Sequence, residues 1–430
     1  MQTHFSLAAL ADPDVAQSAQ ILRACVHCGF CSATCPTYLL TGDELDSPRG
    51  RIYLIKDMLE KERPADARTT HHIDRCLSCL SCMTTCPSSV HYMHLVDHAR
   101  AYIEKTNPRS WMDRALRAFL AFVLPRPEIF RVVLRFAILM RPIASLLPRK
   151  LRAAYALAPT TLPAPSDVDR PQVFPARGAR KMRVALLNGC VQTVLDTRIN
   201  EATIRLLTRL GAEVVVARGA GCCGALAHHL GRADESHAFA RANIDAWMRE
   251  IDGDGLDHIV VNTSGCGATV RDYGFMFRND PAYASQAATI SGRTRDVSEI
   301  VDELGFVPLN NVARLRVACH AACSLQHGQK ITRLPSDLLA RAGFDVAAVP
   351  EGHICCGSAG TYNLLQSDLA DQLRARKVAN IETLAPAVIA AGNLGCMTQI
   401  AAGTDIPVVH TVELLDWACG GPRPATLQKA

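Results

Sequence analysis

Cys25-Val26-His27-Cys28-Gly29-Phe30-Cys31-Ser32-Ala33-Thr34-Cys35-Pro36 decides the reading of this 430-residue chain, and Cys76-Leu77-Ser78-Cys79-Leu80-Ser81-Cys82-Met83-Thr84-Thr85-Cys86-Pro87 repeats it. Both stretches are C-x2-C-x2-C-x3-C-P. Three thiolates at three-residue steps in one tight loop reach three irons of a single cubane. The fourth, followed by a proline that turns the chain away, reaches the neighbouring cube. Crossed ligation assigns Cys25, Cys28, Cys31 and Cys86 to one [4Fe–4S] cluster. It assigns Cys76, Cys79, Cys82 and Cys35 to a second, close enough for electrons to pass between them. Structural zinc uses paired C-x2-C knuckles a dozen or more residues apart, which fits this spacing poorly.

Around these loops the expected fold class is α+β and multidomain. Residues 1–105 read as a helical two-cluster ferredoxin-type domain, small helices wrapped around metal with little hydrophobic core of their own. Asp12-Pro13 and Ser47-Pro48 each put a capping side chain before a proline at the first helical position. A helix follows over Arg51–Glu60, with Ile52, Ile55 and Leu59 on one side. Residues 106–157 form a basic helical segment: Arg109 to Arg152 holds ten Arg or Lys against two acids. Phe119–Leu124 is apolar and stops at Pro125 and Pro127. Beyond it Ile129, Val132, Val133, Phe136 and Met140 share one helical face, with Arg131 and Arg135 on another. Such a pair can lie on an anionic membrane or pack as a connector. Residues 158–180, with five prolines, read as a linker.

Beyond the linker the chain is duplicated, as units 181–305 and 306–430. Runs at Val184–Leu187, Glu213–Ala217 and Ile259–Val261 lead to Cys190, to Cys222-Cys223-Gly224 and to Cys266. Runs at Leu315–Ala318, Phe344–Val349 and Ala387–Ala390 lead to Cys319, to Cys355-Cys356-Gly357 and to Cys396. Pairing the cysteines in that order gives offsets of 129, 133 and 130 residues. Apolar runs alternating with helical stretches indicate α/β units with mainly parallel sheets, whose ligands gather at the carboxyl ends of the strands. Cys190, Cys222, Cys223, Cys266, Cys319, Cys355, Cys356 and Cys396 thus offer a site for an additional iron–sulfur cluster, with Cys323 as an extra thiol. A redox dithiol or plain burial is the alternative.

Other residues carry weaker signals. His320, beside Cys319, and His353, beside Cys355, read as satisfied interior histidines before they read as ligands. His27, inside the first loop, packs over the cluster or meets solvent, and His410, after a strand at Pro407–Val409, is a weak proton-transfer candidate. Arg49 and Arg51 either offset cluster charge or start a solvated helix. Composition narrows the class further. Apolar residues are 49% and charged residues 20%, so the chain is globular. A net charge of +5 and 5% aromatics do not make a nucleic-acid binder. With 18 cysteines, no export signal and no apolar run long enough to span a bilayer, the expectation is a cytoplasmic metalloprotein. No dinucleotide or phosphate-loop motif and no nucleophile–base pair is evident, which leaves substrate oxidation to another subunit.

The two C-x2-C-x2-C-x3-C-P loops, the two Cys-Cys-Gly units, Ser47-Pro48-Arg49-Gly50-Arg51-Ile52 and His410-Thr411-Val412-Glu413-Leu414 together resemble the iron–sulfur subunits of bacterial glycolate oxidases over essentially the whole chain. The resemblance implies FAD-containing partner subunits that oxidise glycolate to glyoxylate, and two [4Fe–4S] clusters passing electrons toward a membrane quinone. It also implies peripheral attachment to the cytoplasmic face of the inner membrane. Iron–sulfur subunits of lactate or glycerol-3-phosphate dehydrogenases, and heterodisulfide reductases, share the architecture. In the last of these a C-x2-C pair completes the Cys-Cys-Gly unit. Thr263 and Asn393 stand where its first cysteine would be, which disfavours that activity.

Overall fold

The computed structural model describes residues 1–107, 109–142, 155, 158–309 and 314–428. The far end of the basic segment, including Arg149, Lys150 and Arg152, lies outside them.

The N-terminal domain is built from short helices: α1 (Pro13–Ala24), α2 (Pro36–Thr41), α3 (Pro48–Glu60), α4 (Ala67–Asp74), α5 (Ser81–Thr85) and α6 (Tyr92–Thr106). The caps follow the sequence: Asp12 accepts from Asp14 N and Val15 N, and Ser47 accepts from Gly50 N. One expectation fails here. The domain has a core of its own, formed by Ile21, Leu22, Ile52, Ile55, Met58, Ile73, Leu95 and Ile103. Three amphipathic helices lay their apolar stripes on α3, and burying several aliphatic side chains at about 1.5–3 kcal/mol each does not depend on metal.

Helices α7 (Trp111–Val123) and α8 (Pro127–Leu139) form a hairpin broken at Pro125 and Pro127. Its buried face matches the expected one in part: Ile129 and Val133 pack inward. Phe130 and Leu134 pack on Val123 and Val194, while Val132, Phe136 and Met140 are exposed. Arg131 is buried on the inner face, where Nη2 donates to Thr193 O at 2.9 Å. Arg109 and Arg117 tie α7 to α4 through Asp74 (2.6 and 2.9 Å). Hydropathy puts Arg131 outside, but its guanidinium is satisfied within, so the inner face is rotated toward Phe130, Arg131 and Leu134.

Each cysteine-rich unit is an α/β layer. Strands β1 (Gln172–Phe174), β2 (Met182–Leu186), β3 (Ala212–Val216), β4 (His258–Val261) and β5 (Thr294–Asp296) form a sheet in the order β1-β3-β2-β4-β5, parallel except for β1. Strands β6 (Arg316–His320), β7 (Asp345–Ala348), β8 (Val388–Ala391) and β9 (Val408–His410) form a fully parallel sheet in the order β7-β6-β8-β9. The chain winds outward to both sides of β2 and of β6, so a crevice opens at the carboxyl ends of those central strands. The units share one core, in which Val184, Leu206 and Val260 meet Val317, Val388 and Val409.

Candidate metal centres

The N-terminal thiols fall into two groups. Cys25, Cys28, Cys31, Cys82 and Cys86 line one small pocket with Pro48, Arg49 and Ile52. Burial pushes the Cys31 thiol up to about 11, reinforced by Cys25 and Cys86, so the fourth cysteine of the second loop stands with the first loop. Burial likewise lifts Cys79, helped by Cys323 and Cys35, and lifts Cys82, helped by Cys79, Cys76 and Cys35.

The loops achieve this with a repeated backbone. His27 and Gly29 have φ of 61° and 86°, and Ser78 and Leu80, at the same places in the second loop, have 50° and 63°. Left-handed residues on both sides of the middle cysteine curl the chain around a point. Proline at the first position of α2 starts the helix directly after Cys35. Burial makes these thiols costly to ionise on their own, and a bound thiophilic cation, which takes the thiolate form, offsets that cost. The donor sets therefore fit two thiolate-bound iron clusters.

Charge around the second group is organised. Arg51, 1% exposed, donates from Nε to His72 O (2.7 Å), from Nη2 to Thr37 Oγ1 (3.0 Å) and from Nη1 to Cys35 Sγ (3.8 Å). Asp46 balances it, meeting His72 Nδ1 at 2.8 Å and Arg75 at 2.7 Å. Arg100 donates to Cys76 O and Ser78 Oγ, both at 2.6 Å. Arg49 instead pairs with Glu44 near the surface. Arg51 is thus part of the interior, and Arg100 is a contributor that nothing in the motif spacing announced.

In the first cysteine-rich unit Cys190, Cys222, Cys223 and Cys266 converge. The Cys222 thiol is held down by hydrogen bonds from Cys190 and Cys223. In the second unit the gathered thiols are Cys323, Cys355, Cys356 and Cys396. The Sγ atoms of Cys323 and Cys355 stand 3.8 Å apart, and Cys356 neighbours Cys396. Cys319 does not join them. It lies within β6, packed against the shared core, and burial alone pushes its thiol up to about 12. Strand register gives the reason: Leu186 pairs with Val260 and Cys319 with Ala390, so Cys319 is the counterpart of Leu186, and Cys323 of Cys190. The offset from Cys190 to Cys323 is 133, the same as for both Cys-Cys pairs. That equality was the available signal. Cys323 opens a π-helical turn at Ser324–Gly328.

Both Cys-Cys-Gly turns need their glycine. Gly224 and Gly357 have φ of 84° and 91°, and an added Cβ would lie 2.8 Å from Ser236 O and 2.6 Å from Ala370 O. Their N–H groups donate to Cys222 Sγ and Cys355 Sγ (3.4 and 3.5 Å).

The two carboxyl ends face each other. Ser264 Oγ lies 2.8 Å from Ser324 Oγ and accepts from Asn393 Nδ2 at 3.1 Å. Cysteines of both units line one cavity of about 460 Å³, whose opposite wall is Leu120, Val123, Phe130 and Leu134 of the hairpin. The second unit also abuts the ferredoxin-type domain: Cys79 packs with Ile354, Cys355 and Cys323, and Thr84 Oγ1 meets His327 Nδ1 at 2.8 Å.

Histidines resolve differently from expectation. His410 is a helix cap: Nδ1 accepts from Val412 N and Nε2 donates to Asn262 O (2.9 Å), and burial holds it down to about 4. His353 accepts through its backbone O from His327 Nε2, 3.2 Å away. His320 is 3% exposed, yet neither ring nitrogen has a hydrogen-bond partner among the described residues. Burial, then Lys377, lowers it to about 3.

Comparison with known proteins places the whole chain. A 4Fe-4S dicluster domain matches residues 21–90, and a cysteine-rich domain matches twice, at 184–271 and 317–401. The chain is 43% identical to the glycolate oxidase iron-sulfur subunit of Escherichia coli (strain K12), over 97% of this chain and 99% of that one. It is 29% identical to a probable glycolate oxidase iron-sulfur subunit of Bacillus subtilis (strain 168), over 93% and 94%. Lactate utilization protein A of Bacillus velezensis is 26% identical but covers only 55% of this chain. A crystal structure of a hypothetical protein from Helicobacter pylori superposes with a TM-score of 0.56 over 97% of this chain and 74% of that one. At 9% identity this is a likeness of fold alone.

Proposed function

The chain belongs to the glycolate oxidase iron–sulfur subunits, and from that premise we propose that it relays electrons from FAD-containing partner subunits, which oxidise glycolate to glyoxylate, toward a membrane quinone. Its role is electron transfer within an oxidoreductase complex. Cys25, Cys28, Cys31 and Cys86 would hold one [4Fe–4S] cluster, and Cys76, Cys79, Cys82 and Cys35 a second. The quartet Cys323, Cys355, Cys356 and Cys396 would hold a third. When bound, such clusters take up and release one electron at a time.

The observation that carries this reading is the continuity of the thiols. Cys31 stands among Cys25 and Cys86, Cys82 borders both N-terminal groups, and Cys79 packs against Cys355 and Cys323. The protein's own part is to bury these thiols and to hold Arg51 and Arg100 against the second group. The α7–α8 hairpin supports attachment to the cytoplasmic face of the membrane. Phe119, Phe122, Phe136 and Leu139 are exposed beside Arg114, Arg126 and Arg135. No helix among the described residues is long and apolar enough to cross a membrane.

The test is iron and acid-labile sulfide per chain in protein purified without oxygen, with dye reduction measured before and after flavin subunits are added. About twelve of each, and glycolate turnover only with the partners, are expected. About eight would confine clusters to the N-terminal domain. Turnover by the isolated chain would sink the reading.

A further inference from the structure

His320 is a buried imidazole with an unmet donor and an unmet acceptor, placed among thiols. One of its ring nitrogens, Cys356 Sγ and Cys396 Sγ all lie within 4.8 Å of one another. Buried polar groups in folded proteins find partners, so an imidazole with neither nitrogen engaged points to a ligand as the partner.

Asn393 and Lys377, two neighbouring candidates for an additional donor, are already engaged. Asn393 stands three residues before Cys396. Its Oδ1 accepts from Cys396 N at 3.2 Å, and its Nδ2 donates to Ser264 Oγ. In the first unit Thr263 stands in that place and donates to Gln192 Oε1. Lys377 Nζ donates to Glu351 O at 2.9 Å. The arrangement is also one-sided. The register that equates Cys319 with Leu186 makes Leu187 the counterpart of His320, and Leu187 sits in an apolar core. At that register position the nitrogen donor exists in the second unit alone.

We propose that His320 is a nitrogen ligand to one iron of a cluster whose other three protein ligands are drawn from Cys323, Cys355, Cys356 and Cys396. The assignment rests on the reading that this unit holds a cluster, and adds a mixed sulfur–nitrogen donor set to it. An imidazole is neutral where a thiolate is anionic, and exchanging thiolate for histidine raises a cluster's potential. This centre, beside Cys79, then lies downstream of the two all-cysteine sites. The first unit has Leu187 at the position of this histidine.

The experiment uses the complex with its partner subunits, purified without oxygen from cells grown on ¹⁵N-histidine and examined by pulsed electron paramagnetic resonance after reduction. Cys356→Ala, and a Cys323→Ala/Cys355→Ala pair beside it, identify the signal belonging to this unit. That signal is expected to show the strong coupling of a directly bound nitrogen. His320→Leu should abolish the coupling, and His320→Cys should keep the cluster, lose the coupling and shift the midpoint potential downward. The ligand assignment is overturned if the signal lacks nitrogen coupling, or if the coupling survives in both His320 variants. If neither Cys356→Ala nor the Cys323→Ala/Cys355→Ala pair removes signal or iron, the cluster itself is absent from the unit, and the underlying reading fails together with the ligand.

Discussion

Arg51 Nη1 donates to Cys35 Sγ across 3.8 Å from a side chain that is fully enclosed. A guanidinium there favours extra negative charge on the second cysteine group. Unit charges about 6 Å apart at an effective dielectric near 20 interact by about 3 kcal/mol, on the order of 100 mV for one electron. Arg51→Gln should lower the potential of one N-terminal cluster by tens of millivolts up to that figure. Arg51→Lys, which keeps the charge, should lower it by much less. Redox titration followed by electron paramagnetic resonance reads both, and equal shifts in the two variants would refute an electrostatic role. Arg51→Gln also strips a partner from buried Asp46, so lower stability is expected beside the shift.

Cys319 and Cys323 separate a packing thiol from a gathered one. Cys323→Ser should cost the second unit its iron, whereas Cys319→Ala should leave iron and sulfide per chain unchanged. Cys319→Ala removes one partly buried sulfur from β6, so its destabilisation should stay within about 1–2 kcal/mol. Iron loss from Cys319→Ala with retention in Cys323→Ser would reverse the assignment.

Gly357 combines a left-handed backbone with an approach of 2.6 Å to Ala370 O, and Gly224 does the same against Ser236 O. An alanine at either must take up positive φ and push a helix backbone aside. Each Gly→Ala change should cost roughly 2–4 kcal/mol, above the ~1 kcal/mol of the backbone term alone. Thermal unfolding of the full chain measures this, and a loss below 1 kcal/mol would mean that the turn relaxes freely.

Much of this architecture is legible in the sequence, and the exceptions share a physical cause. The loop spacing led to the paired thiol groups because local covalent geometry controls them. The Cys-Cys-Gly turns were legible because glycine at a required positive φ leaves a mark in the sequence. Cys319 pairs with Cys190 only by its place at the end of an apolar run, whereas the 133-residue offset shared with both Cys-Cys pairs marks Cys323. The buried face of α8 was partly misplaced because Arg131 is satisfied by Thr193 O, and hydropathy does not see hydrogen bonds. His410 read as a proton carrier and is a cap, while His320 read as satisfied and is not. Both outcomes depend on partners distant in the chain.

Glu413 gives a pH prediction. Burial, then Asp196, pushes its carboxyl up to about 7 against the pull of Arg198. The folded state therefore binds this proton more tightly than the unfolded chain. The associated stability is complete below the unfolded value near 4.3 and is lost as pH rises through about 7. Glu413→Gln stays neutral and can still accept from His410 N as Glu413 does. Its stability relative to the parent should rise between pH 5 and pH 8 by on the order of 1–3 kcal/mol. A difference that stays constant across that range would exclude the titration.

The α7–α8 hairpin turns Phe136 (64% exposed) and Leu139 (73% exposed) outward, while Phe130 and Leu134 hold it to the first cysteine-rich unit. Inserting each exposed side chain into lipid is worth about 1.5–3 kcal/mol, so replacing both with Asp should weaken binding to vesicles by far more than tenfold. Arg114, Arg126 and Arg135 flank the patch, each adding about 1 kcal/mol near an anionic surface. Binding should therefore require acidic lipid and weaken with salt, as screening lengths shorten to about 8 Å at physiological ionic strength. Because Phe136 and Leu139 touch little of the protein's interior, the Phe136→Asp/Leu139→Asp chain should keep its iron and unfold within about 0.5 kcal/mol of the parent. Flotation of the complex with anionic and neutral vesicles reads the difference. Undiminished flotation of the double variant would place the membrane contact elsewhere, and loss of iron with loss of flotation would show that the hairpin braces the metal sites.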